Sequence, residues 1–183
     1  TTRAAVRRDL GHHLGTFAGP AVVVTHDPVD AMALADRVAI MEDGRILQQG
    51  TLADITAHPR SRYVADLVGV NLVRGEVADG VLTTPTGATV VIADAADGPS
   101  WALIRPHSLV LSCDATASTS ARNRWPGIVT GLDRLGDRVR AQLGGDLPLT
   151  AEVTAAGFDA LGPTIGGAVH ASAKATDIEV SPA

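Results

Sequence analysis

The chain has 183 residues, 45% of them apolar, and a formal net charge of −5, which is enough apolar material for one large or two small cores. Aromatic residues make up only 3% and nearly all the cations are scattered arginines, so the basic face and stacking rings of a nucleic-acid surface are missing. The single cysteine, Cys113, cannot close an internal disulfide, no apolar run approaches the ~20 residues of a membrane span, and the amino end lacks a signal-peptide pattern; these point to a cytosolic setting.

Up to about Val68 the pattern alternates helix and strand. Val6, Leu10, Leu14 and Phe17 recur at helical spacing, Gly19-Pro20 break the chain, and Ala21–Thr25 is an unalternating apolar run that predicts a buried parallel strand. Asp27 reads as an N-cap with Pro28 at the first helical position, opening a helix over Val29–Ala35. Asp43-Gly44 between Arg37–Met41 and Arg45–Gln49 predicts a hairpin. Thr51-Leu52-Ala53-Asp54 resembles a capping box, opening a helix stopped at His58-Pro59, and Ser61–Val68 reads as another helix.

From about Asn71 the pattern changes to short alternating strands separated by glycine: Leu72–Val77, Val81–Thr83, Thr89–Ile92, Trp101–Ile104 and Leu109–Leu111, the spacing of a small barrel. A polar linker follows over Asp114–Ser120, then strands at Pro126–Thr130, Arg138–Leu143, Leu149–Thr154 and Gly167–Ala171, with a short helix around Phe158–Leu161. There is a faint internal repeat. Ala102–Ser112 aligns with Ala171–Ser181, which sets Arg105 opposite Lys174, and Gly75–Val77 matches Gly127–Val129.

Two segments concentrate donors. Thr119-Ser120-Ala121-Arg122-Asn123 and Lys174-Ala175-Thr176 set a cation beside hydroxyls and an amide, which suits an oxyanion that offers only acceptors. Lys174 is the chain's one lysine and follows Ala-Ser-Ala, so it belongs to no phosphate-cradling P-loop of the form G-x-x-x-x-G-K-[ST]. The six histidines show no metal-ligand spacing.

Two family resemblances rest on these residues. Val22–Thr51, with His26-Asp27-Pro28, Asp36-Arg37 and Gly44, resembles the end of an ABC transporter nucleotide-binding domain. By that resemblance His26 takes the role of the switch histidine at the γ-phosphate. Ser120-Ala121-Arg122-Asn123, Pro126–Val129, Leu135-Gly136, Leu161-Gly162, Gly166 and Lys174–Asp177 resemble the Mop-type TOBE domain of molybdate-binding proteins and molybdate importer ATPases. That resemblance implies binding of molybdate or tungstate at a subunit interface by Ser120, Ala121, Arg122, Asn123, Lys174, Ala175 and Thr176, and the donor chemistry of the segment adds Thr119. Asn71–Ser112, with Ile104-Arg105-Pro106, more loosely resembles a first TOBE subdomain.

The resulting expectation is an α+β chain. A partial α/β ABC-ATPase remnant over residues 1–68 precedes an all-β, OB-like pair of TOBE/Mop subdomains over 69–183, at about 69–113 and 118–181. The chain is expected to be the carboxy-terminal, regulatory part of the ATP-binding subunit of a molybdate or tungstate importer, cytoplasmic at the inner face of the cell membrane. It would be a homodimer through its β domains and bind no nucleic acid. ATP, magnesium and the membrane permease enter only with the full-length protein, because P-loop, signature and acidic catalytic strand are absent from these residues; the chain alone is expected to be inactive in hydrolysis. The alternative is a structural TOBE dimerisation module of an importer for another substrate, such as sulfate, that binds no ligand. A free-standing molybdate store is disfavoured, since it leaves residues 1–68 without a purpose.

Overall fold

The computed structural model describes residues 2–114 and 119–183, so the expected linker over Asp114–Ser120 lies partly outside the described residues, at 115–118. The chain divides into two units, Thr1–Leu67 and Val68–Ala183.

In the first unit, α1 (Arg3–Thr16) buries none of its residues. It meets α2 (Pro28–Leu34) through charge: Arg7 Nε donates to Asp30 Oδ1 at 2.6 Å, and Arg3 reaches Asp27 and Asp30 at 3.3 and 3.4 Å. The Arg7 hydrogen bond is the main reason the Asp30 carboxyl lies below its ordinary pKa. Asp27 caps α2 as expected, accepting the Val29 N–H at 2.8 Å. Next come β1 (Val38–Glu42) and β2 (Arg45–Gly50), an antiparallel hairpin turning on Asp43 and Gly44 at φ 48° and 74°. Two successive positive φ values give the mirror-image turn that matches strand twist. Thr51 and Asp54 close a reciprocal capping box on α3 (Leu52–Ala57), and α4 (Arg62–Val68) follows. Ile40, Ile55 and Val64 form a small core.

The expected strand over Ala21–Thr25 does not form: no strand is assigned there, and Val22 and Val24 are 90% and 95% exposed. An apolar run becomes a parallel strand only when neighbouring strands take its backbone hydrogen bonds. Among the described residues none does, so apolarity alone misled.

The second unit carries two five-stranded sheets. One runs through β3 (Asn71–Ala78), β4 (Val81–Thr83), β5 (Thr89–Val91) and β6 (Gly98–Ile104); β7 (Val110–Ser112) then leaves it. The other contains β8 (Asn123–Leu135), β9 (Arg138–Gly144), β10 (Leu149–Thr154) and, after α5 (Ala155–Leu161), β11 (Ala168–Ala173). The last strand, β12 (Ile178–Pro182), pairs with β6, while β7 pairs with β11. The two halves of the expected all-β pair therefore exchange their final strands.

The registers of the two halves match. Asn71↔Ile104 in the first corresponds to Asn123↔Ala173 in the second, and Val180↔Ala102 corresponds to Leu111↔Ala171. Thus the faint internal repeat is a structural one. Period-2 burial along these strands sends Leu82, Val90, Ile104, Val129 and Val139, each 0% exposed, into one shared core.

Equivalent asparagines staple the halves together. Asn71 donates its amide to the carbonyls of Ile104 and Thr150 at 3.0 and 2.9 Å and accepts the Thr150 N–H at 2.6 Å. Asn123 donates to the Val91 carbonyl and accepts the Val91 N–H, both at 2.7 Å. Each side chain behaves as one residue of a strand, satisfying the backbone of an edge strand in the opposite half.

Candidate functional site

Antiparallel pairing of β8 with β11 ends at Asn123↔Ala173. Arg122 is the residue before Asn123 and Lys174 the residue after Ala173, so the two donor-rich segments, distant in sequence, meet at one end of the sheet. Both cations are exposed, and neither makes an ion pair with any described residue.

The polar groups around them differ in what they have left to give. Thr119 Oγ1 accepts the Ala121 N–H at 3.0 Å, which shapes the turn before β8 and leaves its own hydroxyl proton free to donate. Ser120 is exposed, and Ala121 and Ala175 are half-buried. Lys174 precedes a 3-10 turn over Ala175–Asp177 that is closed by Asp177 N–H to the Lys174 carbonyl at 3.1 Å. Thr176 donates to the Asp177 carboxylate at 3.3 Å, so its hydroxyl must rotate to meet another acceptor.

Asn123 is placed otherwise. It is 3% exposed and its amide is engaged by Val91. What it contributes at this end of the sheet is the position of Arg122, because it fixes the first residue of β8. Sequence reading did not reveal this staple. The signal was the Gly-x-Val repeat, which already aligns Asn71 with Asn123.

His26 lies in the first unit, exposed, just before the Asp27 cap of α2. Asp27 N–H donates to Thr25 Oγ1 at 3.0 Å, which sets the bend that presents His26.

Residues 119–180 match the TOBE domain family. The chain carries a TOBE domain. Around that domain it is homologous, over ~99% of its length, to the carboxy-terminal region of molybdate/tungstate ABC importer ATP-binding proteins. It is 32% identical over 183 residues to the molybdate/tungstate import ATP-binding protein of Pyrococcus horikoshii, covering 99% of this chain and 52% of that protein. Similarity extends to the sn-glycerol-3-phosphate import ATP-binding protein of Jannaschia sp., 43% identical over 105 residues, covering 55% of this chain and 29% of the relative. The chain thus spans about half the length of the molybdate/tungstate relatives it matches. In fold it is similar to the cytoplasmic molybdate-binding protein ModG in a molybdate-bound form, with a TM-score of 0.56 and 20% identity, covering 62% of this chain and 96% of that one. This TOBE domain is therefore a mainly β, OB- and Mop-type structure.

Proposed function

We propose that the TOBE domain binds a tetrahedral oxyanion, molybdate or tungstate, between Thr119–Arg122 and Lys174–Thr176. It does so as the regulatory part of the ATP-binding subunit of an importer. The observation that carries this reading is the Asn123↔Ala173 register, which sets Arg122 beside Lys174 with both cations exposed and unpaired among the described residues. A dianion offers only acceptors, and this end of the sheet supplies two exposed cations and the hydroxyls of Thr119 and Ser120. Asn123 belongs to the site as its positioning residue.

In the full-length protein the β domains pair as a homodimer and the anion sits at the interface between copies. The subunit works in the cytoplasm against a membrane permease. There His26 acts as the switch histidine, so His26→Ala abolishes ATP hydrolysis while sparing nucleotide binding; a variant hydrolysing at the unmodified rate removes this role.

A structural module that binds nothing is the second reading, and the glycerol-3-phosphate relative favours it, since its 43% identity exceeds that of the molybdate/tungstate relatives. That match spans 55% of the chain, however, against 86% to 99% for the latter. Thermal unfolding with added molybdate separates the two. A ligand at a hundredfold excess over its Kd stabilises by ~2.7 kcal/mol, a shift of roughly 5 to 11 °C for a chain of this size. Arg122→Ala and Lys174→Ala each remove most of it. Absence of any shift leaves the structural reading.

A further inference from the structure

The anion-site framework occurs twice in the second unit. Arg105 stands where Lys174 stands: each follows the end of a paired strand in the same extended conformation, with φ and ψ of −74° and 134° at Arg105 and −72° and 143° at Lys174. Each carbonyl accepts from the residue three positions on, Ser108 N–H at 3.0 Å and Asp177 N–H at 3.1 Å. The exchanged strands bring equivalent positions to the two cations as well. Glu179 pairs with Leu103, two residues before Arg105; Val110 pairs with Ser172, two residues before Lys174.

Those equivalent positions carry different chemistry. Glu179 Oε1 accepts from Arg105 Nε at 3.1 Å and from Nη2 at 2.9 Å, so a carboxylate already sits where an anion would. Val110 has no charge and is 62% exposed. The residue preceding each stapling asparagine differs in the same direction, Val70 before Asn71 and Arg122 before Asn123. One half-site is neutralised from within; the other keeps two cations.

We propose that Glu179 is an internal ligand that closes the first half-site to oxyanions, and that its counterpart, Val110, is the position whose lack of charge keeps the second open. A tethered carboxylate competes with a dissolved anion at high effective concentration. The inference rests on the oxyanion reading of the second half-site and adds what decides which of two like frameworks is used.

Equilibrium dialysis of the full chain with molybdate tests it. Glu179→Gln is expected to add a second, weaker class of sites that doubles the molybdate held at saturation, and Arg105→Gln in that background removes the gain. Val110→Glu, which puts a carboxylate beside Lys174, is expected to weaken the original site at least tenfold by like-charge repulsion. Val110→Gln, of similar size and uncharged, binds as the unmodified chain does. No added binding in Glu179→Gln, or unmodified affinity in Val110→Glu, overturns the inference while leaving the functional reading intact. If the unmodified chain binds no molybdate but Glu179→Gln gains an Arg105-dependent site, the functional reading falls and takes the role of Val110 with it, and only the closure of the first half-site by Glu179 stands. If neither binds, both fall.

Discussion

At the end of the first β half, Arg105 is bonded to Glu179 and Val70 precedes the stapling Asn71; at the end of the second, Lys174 has Val110 at the matching strand position and Arg122 precedes Asn123. At these two ends the backbone framework is shared: the strand registers, the 3-10 turn, the asparagine staple and the exchanged last strand. The halves differ in the side chains that determine charge. Fold and chemistry are carried by different residues here, so each can be perturbed separately.

The largest effect is expected from the shared staples. Asn71→Ala orphans the N–H and C=O of Thr150, and Asn123→Ala those of Val91. An unsatisfied buried polar group costs about 1–3 kcal/mol, and these bonds are part-buried, so each variant should lose roughly 2–4 kcal/mol. Urea unfolding followed by tryptophan fluorescence reads this directly, because Trp101 and Trp125 both lie in the second unit. If one variant is neutral and the other is not, the equivalence of the halves is broken.

Equivalent glycines sharpen the contrast. Gly75 and Gly127 occupy matching places in β3 and β8, and neither has a positive φ, so only space decides. A Cβ on Gly75 would collide with the carbonyl of Thr83 and the side chain of Leu82; on Gly127 the nearest atom is the Gly144 carbonyl oxygen at 3.2 Å. Backbone cannot yield as a side-chain tip can, so Gly75→Ala should cost about 1–3 kcal/mol. For Gly127→Ala the mild crowding is offset by the lower entropy of the unfolded chain, and the net change should stay under ~1 kcal/mol. Equal losses in the two melting curves would mean that the strands are not packed as described.

Much of this was legible in the residues. Asp27, Thr51 with Asp54, and Asp43-Gly44 announce their caps and turn because each signal is local, and the structure uses all of them. Most short strands are legible for the same reason, since alternation reports which face is buried. Strand exchange is not: β7 and β12 are short, and which sheet they join depends on partners far away in sequence. The run over Ala21–Thr25 fails because burial was inferred from apolarity when pairing had to decide it. At the candidate site the cations and hydroxyls are visible as composition, yet the commitment of Asn123 to Val91 is invisible without the fold. Glu179 was within reach: the repeat that aligns Arg105 with Lys174 also aligns Val110 with Glu179, and that mismatch of charge is the signal.

The smallest effect is expected from a cation that lies in the second half but outside its donor-rich end. Arg134 Nη2 meets Asp159 Oδ1 at 2.6 Å, with both side chains more than half exposed at 56% and 57%. Water screens such a pair and two long side chains lose freedom to form it, so Arg134→Ala should move the melting temperature at pH 7 by less than about 2 °C. The hydrogen bond from Arg134 holds the Asp159 carboxyl below its ordinary value of 3.8. A depressed carboxylate contributes stability that is present above the unfolded value and lost as pH falls through the folded one. The small difference between variant and unmodified chain should therefore be constant from neutral pH down to about pH 5 and vanish only under stronger acid. Molybdate, on the oxyanion reading, should stabilise Arg134→Ala as fully as the unmodified chain. That equality is what gives the losses in Arg122→Ala and Lys174→Ala their meaning, since all three remove one exposed cation from the same half. Were Arg134→Ala to lose the molybdate response as well, net charge rather than the end of the β8–β11 pair would be attracting the anion.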